Sequence, residues 1–355
     1  MNLDDLSAIK NLDSQDMLSE IEALPDQLAQ AWELGQAQPL PEETKFSCVV
    51  ISGMGGSAIG ADLLAGYIID QCPLPVIIHR DYGLPAFATG RDTLFIASSH
   101  SGNTEETLDA FDQAFKRGCT LMVISTGGKL AQKAEQAGCV AWRFSHHGQP
   151  RAAVGYSFGL LLAVFSRLGL IPGQSEFILD AVVAMKNQQG QLGASIPAAQ
   201  NPAKRYAGQL VGRWVTVFGS GVLSAVARRW KGQINELAKA PANFEILPEA
   251  DHNTLAGSIN PSEQLLVPHT LTMFLNSASD HPRNRLRANL TRQAFMLEGM
   301  NTDFYMAQGN STLAHMWTAI HFGDYLAFYL AIAYSVDPTV MDALVSLKSS
   351  LTMQR

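Results

Sequence analysis

Hydrophobic positions along the chain divide it into helical and extended stretches. Residues from about 4 to 35 read as helix, with Pro25 a break or a fresh helix start. Phe46 to Ser52 is a continuous apolar run, followed by Gly53-Met54-Gly55-Gly56 and a helical stretch from Ser57. Val76 to His79, Thr93 to Ser98, Thr120 to Ser125 and Val140 to Phe144 are further strands, and Glu105 to Arg117 is a helix between them. Trp214 to Phe218 restarts the pattern. It runs into Gly219-Ser220-Gly221 and a long helix through Ala240. Phe244 to Leu247, Leu271 to Leu275 and Asp303 to Ala307 follow as strands, and helices near 174–192 and 203–210 join the halves. Unbroken apolar strands alternating with helices predict an α/β fold with mainly parallel sheets flanked by helices. The expected units are an N-terminal helical segment (1–45), a first α/β unit (46–172), a second (195–335) and a C-terminal helix (336–355).

Composition narrows the function. The 355 residues are 47% hydrophobic, enough for a sizeable core. The net charge of −7 argues against nucleic acid or an acidic membrane as a partner. A phosphorylated small molecule needs only a local electropositive pocket. The longest apolar stretch, Gly159 to Ile171, is interrupted by Ser166 and Arg167 and is too short to span a bilayer. Cys48, Cys72, Cys119 and Cys139 are scattered, which suits buried free thiols in a reducing cytoplasm.

Two loops carry candidate chemistry. Ser52 to Gly60 (SGMGGSAIG) follows a strand and opens a helix. Its glycines let backbone N–H groups approach an anion at the helix N-terminus. The spacing GxGGSxxG is not that of a dinucleotide loop. In the second loop, Ser99-His100-Ser101-Gly102-Asn103-Thr104-Glu105-Glu106-Thr107, hydroxyls gather at another helix start. Asn103 with Glu106 resembles a capping box, which accounts for one or two of these residues. It does not account for Ser99, Ser101 and Thr104 together, so a phosphate monoester cradle is the expectation.

SGMGGSAIG, SSHSGNTEET and the paired α/β units resemble the sugar isomerase (SIS) domain family. Pro150-Arg151-Ala152-Ala153-Val154-Gly155-Tyr156, Asn235-Glu236-Leu237-Ala238-Lys239, Asp251-His252-Asn253 and the tail from Asp337-Pro338-Thr339 to Leu347-Lys348 extend the match. In this order they resemble the bifunctional phosphoglucose/phosphomannose isomerases over nearly the whole chain. The resemblance implies isomerisation of aldose 6-phosphates to a ketose 6-phosphate through a cis-enediol, with no cofactor and no metal. It assigns Gly55, Gly56, Ser57, Ser99, Ser101 and Thr104 to the substrate phosphate.

The catalytic assignments also come from the resemblance. Glu236 lies off the apolar stripe of its helix, one turn after Gly232, which leaves room for a ligand. Spacing alone favours a solvated Glu236 paired with Lys239; the resemblance makes it the general base. His252 alone reads as a surface histidine. The resemblance gives it proton transfer at O1 or O5 and places it in the neighbouring subunit's site, so a homodimer is expected. Lys348 reads as a lysine at the edge of a packed helix, and the resemblance implies ring opening. Arg151 reads as a surface residue at a helix start, and the resemblance implies stabilisation of the enediolate. His146 and His147, taken as neighbours on a strand, point apart, and His315 and His321 do not pair as ligands. Two departures stand out. His100 replaces the family's usual Tyr, which bears on affinity or pH dependence, and Val340 replaces the second Pro of DPTP, near the part of the site thought to let C2–C3 rotate.

Overall fold

The computed structural model describes residues 2–43 and 45–353. The chain opens with α1 (Leu6–Leu12), α2 (Met17–Glu22) and α3 (Leu24–Ala37). Pro25 sits in the first turn of α3, where a missing N–H costs nothing. A first unit follows: β1 (Cys48–Ser52), α4 (Gly55–Ile68), β2 (Val76–His79), β3 (Thr93–Ser98), α5 (Glu105–Lys116), β4 (Thr120–Ser125), α6 (Gly128–Ala137) and β5 (Val140–Arg143). After a short 3-10 turn at Pro150–Ala152 come α7 (Val154–Arg167), α8 (Ser175–Gln189) and α9 (Pro202–Leu210). The second unit holds β6 (Trp214–Ser220), α10 (Leu223–Ala238), β7 (Ala242–Leu247), the single turn α11 (Val267–His269), β8 (Thr270–Asn276), α12 (Pro282–Leu297) and β9 (Thr302–Met306). Two helices close the chain, α13 (Thr312–Ala333) and α14 (Asp342–Met353).

Both sheets are parallel, with orders β2-β1-β3-β4-β5 and β7-β6-β8-β9. The central strands β1 and β3 are buried at every position, which explains why they read as apolar runs without alternation. The parallel α/β class and its strands therefore match the sequence reading, with a few shifted ends. The first strand starts at Cys48, not Phe46, and α4 starts at Gly55, two residues before the expected Ser57. Helix α10 stops at Ala238 because Lys239 adopts a left-handed conformation (φ 54°) and Pro241 follows. Strand β6 continues through Gly219-Ser220. Any Cβ at Gly219 would overlap the Leu223 carbonyl, so glycine lets the strand run to the very start of α10.

One core joins the halves. Helix α13 is buried over 20 successive residues, Leu313 to Ile332, and is apolar on all sides, as a helix at the centre of a molecule must be. It packs against α8, α9 and α10, while α10 also meets α4 across the seam. No helix among the described residues is long and apolar enough to cross a membrane. Helix α14 differs: Leu344, Val345, Leu347 and Leu351 are 43–63% exposed.

Candidate active site

The phosphate-loop residues gather at the C-terminal end of the first sheet, where β1 leads into α4, β3 into α5 and β4 into α6. Ser57 Oγ accepts from the His100 backbone N–H at 3.1 Å, joining the two loops. Ser99 Oγ lies 2.9 Å from Thr104 Oγ1 and accepts from the Gly102 N–H at 3.2 Å. Ser101 Oγ accepts from the Asn103 N–H at 3.2 Å. Gly102 has φ 65°, and a Cβ there would overlap the Gly127 carbonyl, so the loop closes only with glycine. The capping box does not form. Thr104 is the N-cap of α5 and makes no side-chain cap bond, while Asn103 Oδ1 accepts from the Lys129 N–H at 3.1 Å and ties α5 to α6. Three helix N-termini thus converge on a loop rich in hydroxyls and backbone N–H groups, a setting that favours a phosphate.

The glycine loop continues into the second cluster. Gly56 packs so tightly on Pro150 that a Cβ would overlap the Pro150 carbonyl. The turn carrying Arg151 is fixed by buried Gln27 on α3, whose Nε2 donates to the Ala152 carbonyl at 3.0 Å and whose Oε1 accepts from the Gly155 N–H at 2.7 Å. From the other side, Arg229 Nη2 donates to the Arg151 carbonyl at 3.2 Å. Arg229 is itself held by Asp324 at 2.5 Å, in a buried pair that Gln233 also joins. Burial pulls the Arg151 pKa down, while Glu236 and Asp337 oppose that shift.

Arg151 is buried, not the surface residue that its place at a helix start suggests by itself. Its Nη1 lies 3.8 Å from Glu236 Oε2, and its Nη2 donates to the carbonyls of Pro338 (3.1 Å) and Thr339 (2.6 Å). The solvated Glu236–Lys239 pair does not form. Lys239 Nζ instead donates to the carbonyls of Leu237 and Asp337. Glu236 is one-third exposed and lines a cleft of about 1070 Å³ with Gly232, Lys239, Asp337, Val340 and Leu344. A Cβ at Gly232 would meet nothing within 4 Å, so the space expected beside Glu236 is real. A carboxylate loosely held by a buried guanidinium, on the wall of a cleft, can exchange a proton with a bound molecule while the cation steadies developing negative charge.

The other two candidates are not among the residues that line this cleft. Lys348 is exposed on α14, one helical turn beyond the cleft-lining Leu344 and on the same face. His252 is exposed in a 3-10 turn after the C-terminal end of β7, whereas Glu236 lies before its N-terminal end. The six residues of β7, about 20 Å long at the usual strand rise, run between the segments that carry them.

Relatives share this framework. Residues 199–351 match the model of the bacterial phospho-glucose isomerase C-terminal SIS domain. The chain is 39% identical over 343 residues to a bifunctional phosphoglucose/phosphomannose isomerase of Caldicellulosiruptor bescii, covering 94% of this chain and 98% of that one. The chain belongs to this family. A protein of the same description from Aquifex aeolicus is 31% identical over 87% of this chain and 91% of its own. Among solved structures, a hypothetical protein from Thermus thermophilus superposes with a TM-score of 0.74 at 18% identity, covering 98% of this chain and 94% of that one, a likeness of fold.

One group near the site had no signal in the sequence. Strand β5 ends at Arg143, so His146 and His147 lie in the following loop rather than on a strand. There His146 Nδ1 meets His100 Nε2 at 3.0 Å, and His146 Nε2 meets Glu20 Oε2 at 3.1 Å. Glu20 comes from α2, 126 residues away in the chain, a distance over which spacing carries no information.

Proposed function

We propose that this chain interconverts glucose 6-phosphate and mannose 6-phosphate with fructose 6-phosphate. The 3.8 Å approach of buried Arg151 to Glu236, on a turn that packs against the glycine loop at Gly56, carries the reading. The Ser57, Ser99, Ser101 and Thr104 loop, with Gly55 and Gly56, holds the phosphate. The Glu236 carboxylate takes the C2 proton, and the C–H electrons form the C1–C2 double bond as the carbonyl oxygen O1 is protonated. The resulting enediol loses its O2 proton and regains one from Glu236 at C1, giving the ketose. Arg151 offsets the negative charge that develops on O1 and O2. Glucose and mannose 6-phosphates share this enediol, and rotation about C2–C3 next to Asp337–Val340 presents either face of C2 to Glu236.

His252 and Lys348 serve ring opening. The β7 spacing supports supply of His252 by a second copy, and the exposed apolar residues of α14 suit burial between copies. The working unit is then a cytoplasmic homodimer of units 46–172 and 195–335, flanked by 1–45 and 336–355. The test is formation of fructose 6-phosphate from each aldose with chelator present. Turnover of both is expected; turnover of glucose 6-phosphate alone would remove the mannose half, and turnover of neither would end the reading. Mixed Glu236→Gln and His252→Ala subunits, each inactive alone, should regain activity if sites are shared, and no regain would refute sharing.

A further inference from the structure

Beside the phosphate loop, three side chains from distant parts of the chain line up as Glu20–His146–His100. His100 belongs to the loop itself: its N–H donates to Ser57 Oγ, and its carbonyl accepts from Thr126 Oγ1 at 2.7 Å. The His146 side chain is only 7% exposed. The rings stand edge-on at 85° with centroids 5.1 Å apart, walled by Phe144 and Tyr156, which stack at 4.9 Å. The two short contacts set the tautomers. A carboxylate at Glu20 only accepts, so His146 Nε2 carries hydrogen. With that hydrogen on Nε2, His146 Nδ1 is the acceptor for His100 Nε2–H. His100 Nδ1 is left as a lone pair, and it is where a further proton enters the chain.

We propose that Glu20 and His146 are positioning residues for phosphate binding, holding the His100 imidazole so that it takes up one proton as a sugar phosphate dianion seats in the neighbouring loop. The proton comes from solvent and adds to His100 Nδ1 without breaking another bond. The resulting imidazolium keeps its Nε2–H on His146, whose own Nε2–H stays on Glu20, so the new cation is linked through His146 to a carboxylate and belongs to the loop proposed to hold the phosphate. Burial above all pushes the His100 pKa down to about 4, with Glu20 opposing, so the ring is neutral at pH 7 before the dianion arrives. The other titratable groups facing the pair are Tyr156 on α7 and Arg143 and His147 beside β5. A Tyr at position 100 could donate to His146 in the same way but could not become a cation.

This inference rests on the proposed substrate class, and its test separates the two. Glucitol 6-phosphate, which lacks the carbonyl and cannot isomerise, is titrated calorimetrically at pH 7 in buffers of different ionisation enthalpy. Uptake of roughly half a proton or more per site is expected, by linkage. KM for glucose 6-phosphate should accordingly rise with pH between about 7 and 9, above the range where the phosphate itself titrates. Glu20→Gln should raise KM about tenfold, more than it lowers kcat, and flatten that slope, since a charge-assisted bond is lost. His100→Tyr should abolish the uptake. Binding without proton uptake in the unsubstituted protein, or wild-type uptake in Glu20→Gln, would overturn the proposal. Uptake on binding without isomerase turnover would instead overturn the function and leave the relay standing.

Discussion

The first half ends its strand β3 with Ser98-Ser99-His100-Ser101-Gly102, and the second ends β8 with Asn276-Ser277-Ala278-Ser279-Asp280. The positions correspond, since the orders β2-β1-β3-β4 and β7-β6-β8-β9 match strand for strand. The chemistry does not. In the first half the hydroxyls surround a glycine turn. In the second, Ser277 and Ser279 are engaged by His315 Nδ1 at 3.0 and 2.8 Å. Buried Asp280 packs on Gly221, just before α10, where a Cβ would stand 3.0 Å from its Oδ1. A βα turn of this kind favours negative charge at the following helix. The hydroxyl loop of the first half is the site proposed for the phosphate, whereas the second half puts Asp280 beside the start of α10. The second half gives the opposite end of its helix, at Glu236, to the cleft. One architecture can therefore bind at one turn and seal the equivalent one.

The largest expected effect falls on the chemistry of the second half. If Glu236 is the proposed general base, Glu236→Gln should lower isomerase turnover about a thousandfold while glucitol 6-phosphate still binds. Loss of binding together with turnover would break the division between the halves.

Next come the two glycine turns. Gly102→Ala combines a positive φ with overlap on a backbone carbonyl, which cannot yield. It should cost about 3 kcal/mol or more in denaturant unfolding and weaken phosphate binding. Gly221→Ala meets only a side-chain oxygen, and its φ of 52° carries the ordinary left-handed penalty, so about 1 kcal/mol is expected. Equal costs would mean that the second turn is as tightly closed as the first.

The last effect appears only above neutral pH and concerns Asp280. Burial pushes its carboxyl from 3.8 up to about 6. Because the folded value is the higher one, its proton-linked stability is present below pH 3.8 and lost as pH rises through about 6. Asp280→Asn, which cannot ionise, should be more stable than the unsubstituted protein above pH 7 by about 3 kcal/mol, and the gain should vanish in acid. Thermal melts at pH 4 and pH 8 read this directly. A gain that did not depend on pH would show that the charge of Asp280 is not what the fold resists.

Much of this organisation was legible in the sequence. Fully buried strands such as β1 and β3 appear as unbroken apolar runs, and the hydroxyl loop after β3 is local, so hydrogen bonds such as Ser99–Thr104 span only a few residues. The place of Glu236 off its helix's apolar stripe and the room beside Gly232 were likewise set by helical period. The burial of Arg151 was not legible, because the groups that hold it come from Gln27, Arg229 and Thr339, each contributed by a distant segment. Nor was the Glu20–His146–His100 line, or the carboxylate of Asp280 against Gly221. Local patterns follow from backbone geometry and from which face avoids water, and these repeat every 2 or 3.6 residues. A buried charge or a relay is decided by which side chains packing brings together, and partners tens to more than a hundred residues apart leave no period to read.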